Sequence, residues 1–299
     1  MTLQKKATVV ASATSTLLII IKLAIGILSG SVAVLASAID SVLDLIVSMF
    51  NFFAVTKSEK PADETFNYGR GKIEALAAVI EGTVITISGL YILYESIRKA
   101  FYNEPTQMLN TSIIVMLISL FITIALVIYL NYVAKETNSM VIKSDALHYK
   151  TDIWTNGAIL FSLVAIHFSG IQIIDSIVGG LIALYIIYSA YEIIKEGIYV
   201  LLDGALEEEL VEKIKWILTN RQEEVTSYHF LKTRESGNTS FVDVHLVFTP
   251  EISLLGAHRV SDNIEADIKK LDSKREWVFN IHLDPYDDSM MGEDHHHHD

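Results

Sequence analysis

The chain has 299 residues, 51% of them hydrophobic, with a mean hydropathy of +0.38 and a net charge of −13. That hydropathy excludes an ordinary soluble domain of this length and points to a polytopic membrane protein; the acidic balance, with no long basic stripe, excludes nucleic acid as a partner. Cysteine is absent, so disulfides and thiolate metal sites are excluded and any metal must be held by His, Asp, Glu or water.

The apolar residues concentrate in 1–200, and the remainder reads as soluble. A spanning helix needs about 20 mostly apolar residues, and six runs meet that: 7–29, 32–55, 74–97, 109–134, 140–168 and 171–195. The first starts near Ala7 and is too long for the apolar region of a cleavable signal peptide. Short turns, SGS after the first run and SG after the fifth, make hairpins. Lys5, Lys6, Lys57, Lys60, Arg70, Lys72, Lys135, Lys143 and Lys150 fall on one side of this pattern. The positive-inside rule then places both termini and the soluble end in the cytoplasm.

The second span contains ASAIDSVLDLIV (36–47), with Asp40 and Asp44 four residues apart in an otherwise apolar or small run. That spacing stacks both carboxylates on one helical face, where they would repel unless they share protons or a cation. The fifth span supplies a matching pair, His148 and Asp152, in DALHYKTDIWTNG (145–157). At about 1.5 Å per residue each pair lies ~12–18 Å along its span, so both reach the middle of a ~30 Å hydrocarbon core. Three carboxylates and one imidazole suit tetrahedral Zn²⁺ and also accept Fe²⁺, Co²⁺ or Cd²⁺. The competing reading is polar helix packing, with each group satisfied locally. Asp145, one turn before His148, reads as an entrance or interface residue. Lys22 either snorkels or pairs with a carboxylate, Glu81 and Asp175 line a water path or cap helix packing, and His167 is interfacial.

The soluble end follows the order α-β-β-α-β. A helix spans 207–220, with acidic residues in its first turn as the dipole prefers. Residues 225–248 form two strands joined by ESGNTS. In the second strand Phe241, Asp243, His245 and Val247 share one face, and Val242, Val244, Leu246 and Phe248 share the other. An amphipathic helix over 253–271 and a strand over 275–285 complete the domain. His229, His245 and His282 fall on strands, His258 on the second helix, and Asp284 on the face of His282. These five residues suffice for one Zn²⁺ site or for two that share a ligand; the alternative is histidines scattered over the surface. The tail MGEDHHHHD (291–299) is either a trimmed tag or a native metal-gathering segment.

Together SGSVAVLASAIDSVLD, NYGRGKIEAL (67–76), SDALHYKTDIWTN and the HLDP end of the soluble domain resemble the cation diffusion facilitator family of divalent-metal efflux transporters, over nearly all of residues 5–286. The bacterial zinc and ferrous-iron branch is the most similar. The resemblance implies six spans per protomer, a homodimer in the bacterial inner membrane, a metallochaperone-like cytoplasmic domain and metal/proton antiport. Under it the transport site maps onto Asp40, Asp44, His148 and Asp152, and a cytoplasmic binuclear site onto His229, His245, His258, His282 and Asp284. An interlock between protomers maps onto Lys72 and Asp203. In the loop between the second and third spans the family pattern has an Asp with two histidines. Here Asp63 is present, but Phe66 and Arg70 stand at the histidine positions, so this degenerate site binds zinc weakly or not at all.

The expected organisation is a six-helix transport domain (1–203), a cytoplasmic metal-binding dimerisation domain (204–290) and a His-rich tail (291–299). The expected function is export of Zn²⁺, or of Fe²⁺, Cd²⁺ or Co²⁺, in exchange for protons by alternating access. Its partners are a second copy, lipid, the metal and protons. No cofactor is expected beyond the ion, which is substrate in the membrane and a regulatory or structural ion in the cytoplasmic domain. The alternatives are a membrane metal sensor or a channel. Enzyme activity is not expected: an intramembrane aspartyl protease would need its acids on different helices, facing each other across a water.

Overall fold

The computed structural model divides the chain into two compact units, Met1–Ile198 and Tyr199–Asp299. It describes residues 1–29, 32–102, 110–169, 171, 173–221 and 225–287, and for some helical residues, Asp40, His167 and Asp175 among them, the backbone alone. The tail 291–299 and parts of both short hairpin turns lie outside the described residues.

The first unit carries six long helices: α1 (Leu3–Ser29), α2 (Val32–Ser58), α3 (Lys72–Tyr102), α4 (Asn110–Thr137), α5 (Met140–Ser169) and α6 (Ile173–Leu201), the last running into the second unit. Several outrun the apolar stretches that announce them. α3 continues past 97 through Arg98 and Lys99, because good helix formers keep the backbone hydrogen-bonded after the apolar run ends. Among the described residues, five helices are long and apolar enough to cross a membrane. α5 falls short because Lys143, Asp145, His148, Lys150 and Asp152 interrupt it. The outer surface is apolar, with Leu28 88% and Phe121 78% exposed, as lipid-facing side chains must be.

Lipid offers no hydrophobic drive between helices, so the interior relies on close packing and hydrogen bonds. Ala7, Ala11, Ala54, Ala77 and Ala146 are all buried in the main cluster. Between α3 and α6 the close approach is made by Gly82 and Gly89, where an added Cβ would come within 2.8 Å of Ile194 and Ile187 respectively. The buried Tyr149 hydroxyl meets Ser15 and Ser48, each at 2.7 Å, and so ties α1, α2 and α5 together. Lys22, which the sequence left between two fates, donates to Ser41 at 2.8 Å. Glu74 accepts from Ser58 at 3.1 Å and from Ser139 at 2.5 Å, joining the end of α2 to the residue before α5.

The second unit has α7 (Glu208–Thr219), β1 (Ser227–Ser236), β2 (Thr239–Val247), α8 (Leu254–Lys269) and β3 (Glu276–Asp284). The strand order is β1-β2-β3; β1 is antiparallel to β2, and β3 is parallel to it. The α8 crossover supplies the reversal that a parallel neighbour needs. Val242, Val244 and Leu246 pack with Ile214, Leu218, Ile264 and Ile268 of the two helices. This is the apolar face expected of β2, and it leaves the His245 face of the sheet uncovered by these helices. Ser253 caps α8 by accepting from the Gly256 amide at 3.1 Å.

Candidate metal centres

α2 and α5 pack in the first unit and bring together residues about a hundred positions apart in the chain. One ligand atom from each of Asp44, His148 and Asp152 lies within 4.8 Å of the other two. His148 Nε2 stands 3.2 Å from Asp44 Oδ1, and all three side chains are part-buried. Asp40 lies one turn earlier on α2, with its side chain outside the described set. The rest of the α5 turn is held by local bonds: the Asp152 carbonyl accepts from Asn156 Nδ2 at 2.7 Å and from the Thr155 hydroxyl at 3.2 Å. The imidazole next to carboxylates makes an N/O set that a borderline divalent cation fits.

In the second unit, His229, His245 and His282 form a row across the three strands, since His229 pairs with His245 and His245 with His282 in register. The His245 ring lies 5.0 Å from that of His229 and 4.7 Å from that of His282. Asp284, buried two residues beyond His282, is the hub. Its Oδ2 is 2.9 Å from His245 Nδ1 and 3.4 Å from His229 Nε2, while its Oδ1 is 2.9 Å from His282 Nε2. One ligand atom from each of His229, His245 and Asp284 likewise lies within 4.8 Å of the other two. A β-bulge interrupts the β1–β2 register between His229 and Lys232, and Phe230 within it takes φ +51°. Such a backbone is costly for a non-glycine residue, and bulges commonly re-aim neighbouring side chains. An open cleft of about 450 Å³ adjoins, lined in part by Phe230, Asp243, His245 and His282.

The remaining sequence candidates fall elsewhere. His258 sits on α8 with its Nε2 3.7 Å from Asp262. Asp203 takes φ +57° and accepts from Arg234 Nη1 at 3.3 Å. Lys72 opens α3 in the other unit. Asp63 is engaged on both oxygens: its Oδ1 accepts from the Thr65 and Phe66 amides at 3.0 and 2.8 Å, and its Oδ2 from Arg70 at 2.6 Å. Arg70 in turn lies 4.2 Å over the Phe66 ring. The Arg70 hydrogen bond holds the Asp63 carboxyl below the usual carboxylate range. The pair is therefore fully formed above the unfolded-state value and is lost only as pH falls through the lowered one. Arg70, one of the two residues that replace the histidines, thus occupies the carboxylate as well. Replacing both, Phe66→His with Arg70→His, is expected to free Asp63 Oδ2 and add one bound Zn²⁺ per protomer. Metal analysis of the purified protein checks this, and an unchanged count rejects it.

Sequence reading missed Asp287, whose Oδ1 is 3.5 Å from His229 Nδ1 and whose Oδ2 accepts from Ser227 at 3.0 Å. The acidic run directly after the HLDP strand was the available signal. It also missed Asn51, which lies seven residues after Asp44 and hence on the same face of α2.

The family model described as the cation efflux transmembrane domain matches residues 8–202, and that of the cation efflux protein cytoplasmic domain (ZT_dimer) matches 206–286. The cation-efflux pump FieF of Klebsiella pneumoniae (strain 342) is 35% identical over 283 residues, covering 95% of this chain and 93% of the relative. FieF of Yersinia pestis (strain Pestoides F) is 37% identical over 261 residues, covering 87% of this chain and 86% of the relative. A solved chain of CzrB in its Zn form is 32% identical over 28% of this chain and 92% of that one, with a TM-score of 0.26, too low to bear on the fold.

Proposed function

We propose, since this chain belongs to the cation efflux family, that of the cation diffusion facilitators, that it is an integral membrane transporter exporting Zn²⁺ from the cytoplasm in exchange for protons. Fe²⁺, Cd²⁺ and Co²⁺ are admissible to the same ligands. Cation efflux is the family's shared function, and its members are transporters rather than enzymes. The specific metal and the proton exchange are our reading. The observation that carries it is the convergence of Asp44, His148 and Asp152 from two helices inside an apolar bundle. Asp40 is assigned as the fourth ligand on its position one turn before Asp44.

The coupling follows from ligand chemistry. Imidazole and carboxylate bind metal only when deprotonated, so loading expels protons and unloading takes them up. Alternating access is a rocking of α2 and α5 with their neighbours around a fixed site, open first to one side and then to the other. We assign 1–203 to transport, 204–290 to cytoplasmic metal binding and homodimerisation, and Lys72–Asp203 to an interlock between protomers. The membrane is the bacterial inner membrane, with both termini cytoplasmic. In the cytoplasmic domain the fit to a metal rests on the donor set, with three imidazoles around one buried carboxylate. His229, His245, His282 and Asp284 would hold that ion, and its charge would draw the domain closed and bias the rocking step. His258 is kept as a further ligand by family position alone.

The test is flux in proteoliposomes carrying an internal metal indicator and a pH dye. Metal entry is expected with proton movement in the opposite direction, for Zn²⁺ and for at least one of the alternative ions. Metal flux without a pH change would replace the antiporter by a channel, and absence of flux for every ion would reject transport.

A further inference from the structure

Asn51 on α2, Glu81 on α3, and Ser144 and Asp145 on α5 meet inside the bundle, and none is more than 3% exposed. Glu81 Oε2 accepts from Asn51 Nδ2 at 3.2 Å and from the Ser144 hydroxyl. Glu81 stands close enough to Asp145 for the two carboxyl groups to repel, and the Asn51 amide lies against Asp145 as a hydrogen-bonding neighbour, though without well-formed geometry. Among the described residues, Glu81 Oε1, Asn51 Oδ1 and both Asp145 carboxylate oxygens lack a hydrogen-bond partner. All four atoms are oxygens able to accept. Leaving a buried acceptor unpaired is costly, so this group calls for a positive or donating occupant. Asn51 matters most here. Its amide is neutral and fully buried, its nitrogen serves Glu81 and lies against Asp145, and its oxygen is left without a donor.

The placement follows the helical stripes of the transport ligands. Asp145, His148 and Asp152 are spaced i, i+3, i+7 along α5, and Asp44 and Asn51 are seven apart on α2. Such spacings share a face. Asp145 is therefore displaced about 4.5 Å from His148, and Asn51 about 10.5 Å from Asp44, by the helical rise. Both displacements run towards the end where α2 finishes and α5 starts, which the transport reading places at the cytoplasm.

We infer that Asn51, Glu81 and Asp145, with the Ser144 hydroxyl, form a second, all-oxygen station for a divalent cation on the way from the cytoplasm to the transport ligands. The inference rests on the transport reading for its role, and on four buried oxygens that lack a well-formed hydrogen bond for its existence. Two carboxylates, an amide oxygen and a hydroxyl are hard ligands, which favour Mn²⁺-like ions more than the imidazole-bearing set does. The sequence treated Asp145 as an entrance residue and Glu81 as a lining or packing residue; the structure joins them.

The probe is Mn²⁺, counted by electron paramagnetic resonance on the full chain in nanodiscs. In an Asp152→Ala background, adding Glu81→Gln, which keeps the shape that meets Asn51 and Ser144, is expected to remove one bound Mn²⁺ per protomer. Asp145→Asn is expected to do the same. In the otherwise unmodified chain, Glu81→Gln is expected to raise KM for Zn²⁺ about tenfold. An unchanged Mn²⁺ count in both variants overturns the station and leaves a proton-sharing or packing pair in its place. If one variant fails to assemble, the other decides; if both fail, a structural role is established and the station is overturned. Should the unmodified chain move no metal in vesicles, the transport reading falls, while the Mn²⁺ count still decides whether the station exists.

Discussion

Asp152→Ala is expected to reduce flux of every metal to the vesicle background, a loss of at least about a hundredfold, with the fold retained. A unit charge about 4 Å from a divalent ion contributes roughly 8 kcal/mol at an effective dielectric near 20, twice the ~4 kcal/mol of a singly charged pair. Even a third of that is about two decades of affinity at ~1.4 kcal/mol per decade. The bonds that hold the turn use the Asp152 carbonyl, which alanine keeps, and alanine is the better helix former. Removing one of several clustered carboxylates also relieves repulsion. Proteoliposome flux with Zn²⁺, Fe²⁺, Cd²⁺ and Co²⁺, beside a thermal melt of the same preparation, measures both halves. Retained flux would remove Asp152 from the transport site; lost flux with a collapsed melt would make it structural.

The second large effect is expected at the cytoplasmic cluster. Asp284→Asn keeps the side chain's shape and removes the negative charge that His229, His245 and His282 share. The zinc affinity of this site is expected to fall by about two decades. Ligand linkage turns that into a stability difference. At free zinc about 100 times the unmodified Kd, binding stabilises by ~2.7 kcal/mol. With Kd raised a hundredfold, the same zinc contributes only ~0.4 kcal/mol. Zinc should thus shift the melt of the soluble unit strongly in the unmodified chain and barely in the variant, while the melts without zinc stay close together. Equal zinc protection in both proteins would reject Asp284 as a ligand. In vesicles the same variant should lose metal activation of transport but keep its basal flux.

The Asp63 loop shows how a local motif and its surroundings divide the information. The sequence shows a carboxylate without its two histidines. That Arg70 then fills the carboxylate, while stacking on Phe66, depends on the path of the loop. His258 is the converse case. Its helix was legible, and the structure adds that on α8 its Nε2 stands 3.7 Å from Asp262.

What the sequence determined by itself is what repeats locally. Apolar runs long enough to span, the i, i+4 spacing of Asp40 with Asp44 and of His148 with Asp152, and the two-residue alternation of β2 each assign residues to a face of one element. Helical and strand periods are intrinsic to the backbone, so these assignments need no partner. Only the tertiary structure decided which faces meet. Asp44 reaches His148 because α2 packs on α5, His229 reaches Asp284 across a bulged three-stranded sheet, and Asn51, Glu81 and Asp145 become one buried group drawn from three helices. No local period encodes such convergence, because it depends on how close two backbones can pack and on which oxygens are left without a donor once they do.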